Sequence, residues 1–341
     1  MQYRQLGRSG LRVSQLCLGT MNFGGPTDGP TSLALMGQAL DAGINFIDTA
    51  NIYTGGESER LVGQFIAGRR EQVVVATKAR NPLGRGPLDQ GSSRKHLRRA
   101  LDESLQRLGT DYIDLYYLHR PDETCPIEES WETLDDFVRQ GKVLYLAVSN
   151  FWAWQAAQVV GLTALRGWSP VACVQPLYNI ADREAEMEVL PMARALGLGV
   201  ISYSPIARGV LTGKYAGGSV PSDSRQARGD KRLAETEWRA SNLDLAAQVA
   251  PMAEAAGCTM AQFALAWVLA NPNITAPILG PRTPEQLADN LGALDVTIAA
   301  EVEAQIDALV PPGTRAGVAF TDPLYPIVGR NPAIAAESVL T

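Results

Sequence analysis

The chain has 341 residues, 46% hydrophobic and 19% charged, and its 30 Lys and Arg against 36 Asp and Glu leave a net charge of -6. That composition excludes a disordered or collagen-like chain. An acidic balance without a Lys/Arg block argues against a nucleic-acid partner, although a small phosphate-bearing ligand needs only a few local cations.

The length suits one large domain or two small ones, and a (β/α)8 barrel takes roughly 250 residues. Cys17, Cys125, Cys173 and Cys258 are scattered, with no CxxC pair; all but Cys125 sit in or near apolar stretches. Buried free thiols and a reducing compartment follow. With His96 and His119 the only histidines, no metal site is expected. The first ten residues lack an apolar signal core, and the longest apolar run, Met260 to Ala270, is too short to span a membrane. The reading is a soluble, cytoplasmic chain without a membrane partner.

In chain order, short apolar runs rich in β-branched residues alternate with longer amphipathic stretches. Gln15 to Gly19 reads as a strand and Thr31 to Ala42 as a helix. Phe46 to Asp48 is followed by a helix from Glu57. Val73 to Lys78 precedes a helix over Ser92 to Leu108, capped by Ser92 or Ser93 and ended by Gly109. Ile113 to His119 precedes Pro126 to Arg139, and Val143 to Ser149 precedes Trp152 to Leu165. Val171 to Pro176 precedes Arg183 to Ala195, and Gly199 to Ser204 opens a long loop. Ala261 to Ala270 is helical, Ile274 to Leu279 a strand, and Pro284 to Leu291 helical.

Eight near-continuous apolar strands alternating with helices favour an α/β chain closed as a (β/α)8 TIM barrel. The alternative is a doubly wound open sheet, but no GxGxxG follows the first strand. The reading is a single domain over 1–341, core about 15–295, with an N-terminal extension. Gly217 to Asp230 reads as a mobile loop after the seventh strand, and residues 311–341 as a tail lying on the barrel or partly disordered.

A barrel gathers its strand ends around one mouth. Asp48 closes the second strand with Tyr53 five residues on, Lys78 the third and His119 the fourth. Ser149 and Asn150 close the fifth, Gln175 the sixth, Tyr203 and Ser204 the seventh. Singly, each has an ordinary role as a cap, a solvated strand end or a core histidine. Together an acid, a phenol, a lysine and an imidazole on three successive strand ends form a tuned general acid beside a carbonyl. An ammonium about 4 Å from a phenol favours the phenolate by up to roughly 4 kcal/mol at an effective dielectric of about 20. Such a site needs a separate source of hydride. Rival motifs fail: G-E-S-E-R at Gly56 to Arg60 lacks the last glycine of a nucleophile elbow, and G-V-L-T-G-K at Gly209 to Lys214 is one residue short of a Walker loop. The paired Asp135 and Asp136 are expected on a solvent-facing helix.

From Gln5 to about Leu309 the chain resembles the aldo-keto reductase superfamily. The resemblance rests on L-G-T-M at Leu18 to Met21, G-I-N-F-I-D-T-A-N-I-Y at Gly43 to Tyr53 and V-V-V-A-T-K at Val73 to Lys78. It continues through D-L-Y-Y-L-H-R-P-D at Asp114 to Asp122, S-N-F at Ser149 to Phe151, S-P-I-A-R-G-V-L-T-G-K-Y at Ser204 to Tyr215 and A-Q-F-A-L-A-W-V-L at Ala261 to Leu269. The details look closest to bacterial reductases related to potassium-channel β subunits.

The resemblance implies reversible NADPH-dependent reduction of an aldehyde or ketone, with NADH as the other admissible cofactor. Tyr53 would donate the proton, Asp48 and Lys78 would tune it, and His119 would orient the carbonyl. Ser149, Asn150 and Gln175 would hold the nicotinamide carboxamide, and Tyr203 would stack on its ring. Gly19, Thr20 and Met21 would line the floor. Ser204, Pro205, Ile206, Arg208, Gly209, Leu211 and Lys214 would serve the pyrophosphate. In G-P-R-T-P-E-Q-L-A-D-N at Gly280 to Asn290, Arg282 would bind the 2′-phosphate, with Gln286, Asp289 and Asn290 around ribose and adenine. Gly280 and Pro281 stand where many aldose reductases carry lysine and serine. Arg225 is a further candidate cation. Phe23, Trp152 and the loop Asn81 to Gly91 would border the substrate, alongside Met21, Tyr53 and His119. Arg120 reads as a structural ion pair in preference to a substrate contact. The partner is a small carbonyl or alcohol, and an oligomer is compatible with the sequence. Other readings are an NADP(H)-binding scaffold subunit of slow turnover and a lyase using a Lys78 Schiff base.

Overall fold

The computed structural model describes residues 1–317 and 322–325. It opens with an antiparallel hairpin, β1 (Tyr3–Gln5) and β2 (Arg12–Ser14). Eight parallel strands follow: β3 (Cys17–Gly19), β4 (Phe46–Asp48), β5 (Val74–Ala79), β6 (Ile113–Leu118), β7 (Val143–Ser149), β8 (Val171–Gln175), β9 (Gly199–Ser202) and β10 (Ala276–Leu279). They pair in chain order, and β10 closes back onto β3. The expected (β/α)8 TIM barrel is the observed fold. The helices around it are α1 (Gly29–Asp41), α2 (Glu57–Ile66), α3 (Arg94–Leu108), α4 (Ile127–Arg139), α5 (Ala153–Arg166), α6 (Val189–Leu196), α7 (Lys231–Glu235), α8 (Ala240–Ala255), α9 (Met260–Ala270), α10 (Pro284–Leu291) and α11 (Ala300–Leu309).

Strand parity decides what enters the barrel, because successive side chains point to opposite faces. Phe46, Val74, Ala76, Leu115, Tyr117, Ala147, Cys173 and Ile201 form the interior cluster. Their neighbours Ile47, Val75, Tyr116, Leu146, Val174 and Val200 join the larger core between strands and helices. Two residues further along the inward-facing sets stand Asp48, Lys78, His119, Ser149, Gln175 and Tyr203. The residues that look catalytic in the sequence are thus the top layer of the barrel interior. At the opposite end Leu6 and Val13 of the hairpin complete the interior cluster. The N-terminal extension is therefore a plug.

Several elements differ from the sequence reading. The stretch from Arg183 breaks into a 3-10 turn, Glu184–Glu186, before α6 begins. Arg183 is buried there, bonded to Glu186 at 3.0 Å, Asp307 at 2.7 Å and the Val310 carbonyl at 2.9 Å. Pro191 then falls in the first turn of α6, where the missing N–H breaks no helical bond. The region after β9 holds α7 and α8, where a loop was expected, and α11 follows α10. Asp135 is a correction: it is 4% exposed, accepts from the Ser169 N–H at 2.7 Å and hydroxyl at 2.8 Å, and so anchors the turn into β8.

All four cysteines are free; Cys17 and Cys173 are buried, Cys125 and Cys258 half-buried. Among the described residues no single helix is long and apolar enough to cross a membrane. The described part of the tail lies on the barrel, through Arg315 to Asp182 at 2.9 Å and Arg232 to Asp322 at 2.6 Å. Its remainder, 318–321 and 326–341, is outside the described residues.

Candidate active site

Asp48 and Lys78 leave β4 and β5 side by side and form an ion pair buried from solvent on both partners. Lys78 also donates to the Thr49 carbonyl at 2.8 Å, and Gln175 Nε2 donates to the second Asp48 oxygen at 2.9 Å. Tyr53 starts a 3-10 turn just beyond β4. Thr54 takes a left-handed φ of 48° and donates to the Phe23 carbonyl at 2.7 Å, fixing that turn. Lys78 Nζ then lies 5.2 Å from the centre of the Tyr53 ring. The His119 ring meets the Tyr53 ring edge-on, with centroids 6.0 Å apart. Acid, lysine, phenol and imidazole, drawn from three strand ends, share one place.

Burial opposes the Lys78 ammonium, yet Asp48 and Tyr53 together outweigh it, so the lysine titrates above its usual value and stays charged. Burial pushes the Tyr53 phenol up and Lys78 pulls it down, with burial winning. By residue type alone Lys78 would have the upper hand; in the structure burial outweighs it, and Tyr53 holds its proton through the neutral range. Burial, then the charges of Lys78, Arg120 and Arg80, drives His119 well below its usual value. Its imidazole is therefore neutral near pH 7, and its Nδ1 is buried without a hydrogen-bond partner.

A cavity of about 630 Å³ opens above these groups. Along one wall Tyr203 donates to Asn150 Oδ1 at 2.8 Å, Asn150 donates to the His119 carbonyl at 2.9 Å, and Ser149 donates to the Gln175 carbonyl at 3.0 Å. Asn150, Ser204, Ala207 and Arg208 all take positive φ here. Gly19 is required at the floor, because a Cβ there would come within 2.5 Å of the Ile278 side chain. At the far end Lys214, Arg225 and Arg282 converge. Arg282 pairs with Asp223 at 2.8 Å and Arg225 with Asp230 at 2.6 Å, while Lys214 makes no ion pair among the described residues. Burial and then Arg282 lower the Lys214 pKa. Crowded cations of this kind are a site for an anion.

Of the residues singled out in the sequence, Gly19, Thr20, Met21, Asp48, Tyr53 and His119 line this cavity, as do Ser149, Asn150, Gln175 and Tyr203. So do Ser204, Pro205, Ile206, Arg208, Gly209, Lys214, Arg225, Gly280, Arg282, Gln286, Asp289 and Asn290. Lys78 lies beneath the lining. Three do not fit. Leu211 is fully buried in the outer core, because the 3-10 segment Ala207–Thr212 turns it inward. Phe23 is also fully buried in that core, its carbonyl held by Thr54. Trp152, 47% exposed, caps α5 and borders a neighbouring cavity of about 380 Å³. The sequence reading missed Asn22, Ile52, Thr212 and Tyr325, which also line the main cavity. In the segment read as a mobile loop, Asp223 reaches out to Arg282 and Asp230 pairs within the segment with Arg225. Among the described residues no group of His, Cys, Asp or Glu is placed to hold a metal.

Comparison with known proteins bears on this geometry. A profile of the aldo/keto reductase family matches residues 15–311. The chain belongs to the aldo/keto reductase family. It is 42% identical to the oxidoreductase YrpG of Bacillus subtilis (strain 168) over 332 residues, 94% of this chain and 99% of that protein. It is 40% identical to a probable voltage-gated potassium channel subunit beta of Oryza sativa subsp. japonica, over 91% of this chain and 97% of that protein. L-glyceraldehyde 3-phosphate reductase of Escherichia coli (strain K12) shares 36% identity, over 92% of this chain and 93% of its own length. The chain is thus an oxidoreductase of a carbonyl-reducing family that generally uses NAD(P)H.

Proposed function

We propose that the chain reduces an aldehyde or ketone to the alcohol, reversibly, with NADPH as cofactor and Tyr53 as proton donor. The observation that carries the reading is a phenol set beside a buried Asp48–Lys78 pair and an imidazole, at the base of a cavity whose far end gathers three cations. When bound, the reduced nicotinamide supplies the hydride. Gln175 gives its N–H to Asp48 and keeps its oxygen as an acceptor for the carboxamide, beside Ser149 and Asn150. Tyr203 offers its ring face to the nicotinamide. Lys214 and Arg208 serve the pyrophosphate, and Arg282 with Arg225 the 2′-phosphate that distinguishes NADPH from NADH.

The substrate oxygen sits between Tyr53 and His119. Neutral His119 donates a hydrogen bond to it, and Tyr53 transfers the proton as negative charge develops on that oxygen. Lys78 stabilises the phenolate left behind, and Asp48 keeps Lys78 charged and oriented. A Schiff base at Lys78 disagrees with this environment, because a nucleophilic lysine needs a lowered pKa and an unpaired amine. The identity to a channel β subunit supports a second reading, an NADP(H)-binding subunit of slow turnover. Steady-state turnover on a panel of aldehydes and ketones separates the two.

Tyr53→Phe tests the mechanism. We expect turnover to fall by about 10²–10⁴-fold, with NADPH affinity near normal, because a ring of the same shape remains. Undiminished turnover would remove Tyr53 as the acid.

A further inference from the structure

The second cavity, about 380 Å³, falls within the size range of small-ligand pockets. It shares Asn150, Gln175, Tyr203 and Tyr325 with the main cavity, but Tyr53, Lys78 and His119 are not in its lining. An occupant is therefore a neighbour of the reaction and not its substrate. One wall is apolar. Val148 and Val174, on the outer faces of β7 and β8, form it with Ala181, Ala185, Trp152 and Met187. Trp152 is 47% exposed and Met187 68%, so apolar surface runs from the cavity out to solvent. A flat indole and a thioether side by side are good partners for an aromatic ring.

The other wall is acidic. Asp182, Glu184, Glu188, Glu237 and Asp322 line it, against Arg239 and Arg315. Arginines already answer most of these acids: Arg315 holds Asp182 at 2.9 Å and Glu184 at 2.6 Å, Arg232 holds Asp322 at 2.6 Å, and Arg208 holds Glu237 at 2.8 Å. Glu188, at the exposed mouth, makes no ion pair among the described residues. Glu237 is only half satisfied. It is 6% exposed, and its Oε2 takes Arg208 and the Thr236 hydroxyl, but its Oε1 is buried without a hydrogen-bond partner. A carboxylate oxygen out of water without a donor is unfavourable, and a ligand N–H relieves it. An anionic ligand would be repelled by this wall, whereas a cationic donor is drawn to it.

We propose that this cavity is a second ligand site, for a small molecule with an aromatic body and a primary ammonium group. The body lies against Val148, Val174 and Trp152, and the ammonium donates to Glu237 Oε1. An ammonium carries three donors and no acceptor, which suits a wall of carboxylates. The inference stands on the second cavity alone and is independent of the carbonyl-reduction reading.

Probes of matched shape and opposite charge test it: tryptamine against indolepropionate, and phenethylamine against hydrocinnamate. Each is titrated by calorimetry into the full chain, with and without saturating NADPH. At least one amine binds tighter than its matched acid by about tenfold or more, in the presence of NADPH as in its absence. Glu237→Gln, which keeps the shape of the side chain, weakens that amine by about tenfold. Ala185→Leu fills the apolar wall and abolishes its binding, with NADPH affinity unchanged. Failure of both amines to bind at millimolar concentration overturns the proposal, as does equal affinity for amine and acid. Displacement of the amine by NADPH places it in the main cavity and overturns the proposal too. So does amine binding that survives unchanged in either variant.

Discussion

The ion pair beneath the phenol allows a prediction in which stability and activity part company. Asp48 is 2% exposed and Lys78 fully buried. Lys78→Met leaves the Asp48 carboxylate with Gln175 as its side-chain donor. Asp48→Asn leaves the Lys78 ammonium with the Thr49 carbonyl and the phenol. Either change strands a charge out of water, which destabilises a fold by about 3–5 kcal/mol. Replacing both removes the stranded charge, so the double variant should be more stable than the sum of the two losses predicts, by at least about 2 kcal/mol. Activity should not recover with it. Without the ammonium nothing stabilises the phenolate of Tyr53, so all three variants should be slow. The assay is thermal or urea unfolding of the four proteins at one pH, beside steady-state turnover. Strictly additive stability losses would refute the claim that the two charges are bound to each other. Turnover restored in the double variant would refute the role given to Lys78.

Two further outcomes are expected. Arg282→Ala should weaken NADPH by about 10–100-fold, the size of a charge-assisted hydrogen bond, and leave NADH nearly unchanged; equal weakening of both in a fluorescence titration would place the 2′-phosphate elsewhere. It should cost little stability, because its partner Asp223 is 69% exposed. Both His119 and His96 titrate below the usual value in the folded chain, chiefly through burial. The unfolded chain therefore binds more protons just below about pH 6.5, and the stability these groups contribute above that pH is lost as pH falls, by at most about 1.4 kcal/mol per pH unit for each. His119→Gln should flatten that fall; an unchanged slope of Tm between pH 7 and 5 would show that the imidazole is not held neutral.

Strand positions were legible because each barrel strand is a short apolar run, and inner and outer faces are both buried. The convergence of Asp48, Lys78, His119, Ser149, Gln175 and Tyr203 was legible for the same reason: in a closed parallel barrel, residues that end successive strands share one rim. What failed was whatever depends on the direction a side chain takes outside a strand. Leu211 and Phe23 sit in irregular segments, where no periodicity says which way a residue faces, and both turn into the core. Asp135 looked solvent-facing beside Asp136, but its helix presents it to the Ser169 turn. The balance at Tyr53 is not legible in the sequence, because residue types alone reveal the attraction of Lys78 whereas the cost of burial needs the cavity. Tyr325 could not be singled out, since a Pro-rich tail carries no pattern that says which of its residues docks.

The distribution of backbone strain is a separate argument for where this chain works. Where helices return to the lower end of the barrel, positive φ is carried by glycine, at Gly109 after α3, Gly141 after α4, Gly167 after α5 and Gly197 after α6. Glycine adopts that conformation without a steric penalty, so those turns are relaxed. At the upper end glycines such as Gly55, Gly56, Gly91 and Gly209 take positive φ too, but other residues join them. Among the described residues the non-glycine positive-φ positions are Thr54, Arg80, Asn150, Ser204, Ala207 and Arg208, all in segments that follow β4, β5, β7 or β9. Each costs about 1–3 kcal/mol, and a glycine would avoid it. A side chain is what glycine cannot supply. Thr54 fixes the turn of the phenol, Asn150 ties Tyr203 to His119, Arg208 meets Glu237 at 2.8 Å, and Arg80 faces Asp122 at 3.9 Å. Ala207 alone has no polar group to justify the conformation. The strain therefore follows the groups that bear chemistry, and it marks the upper rim as the working face independently of any pKa or cavity.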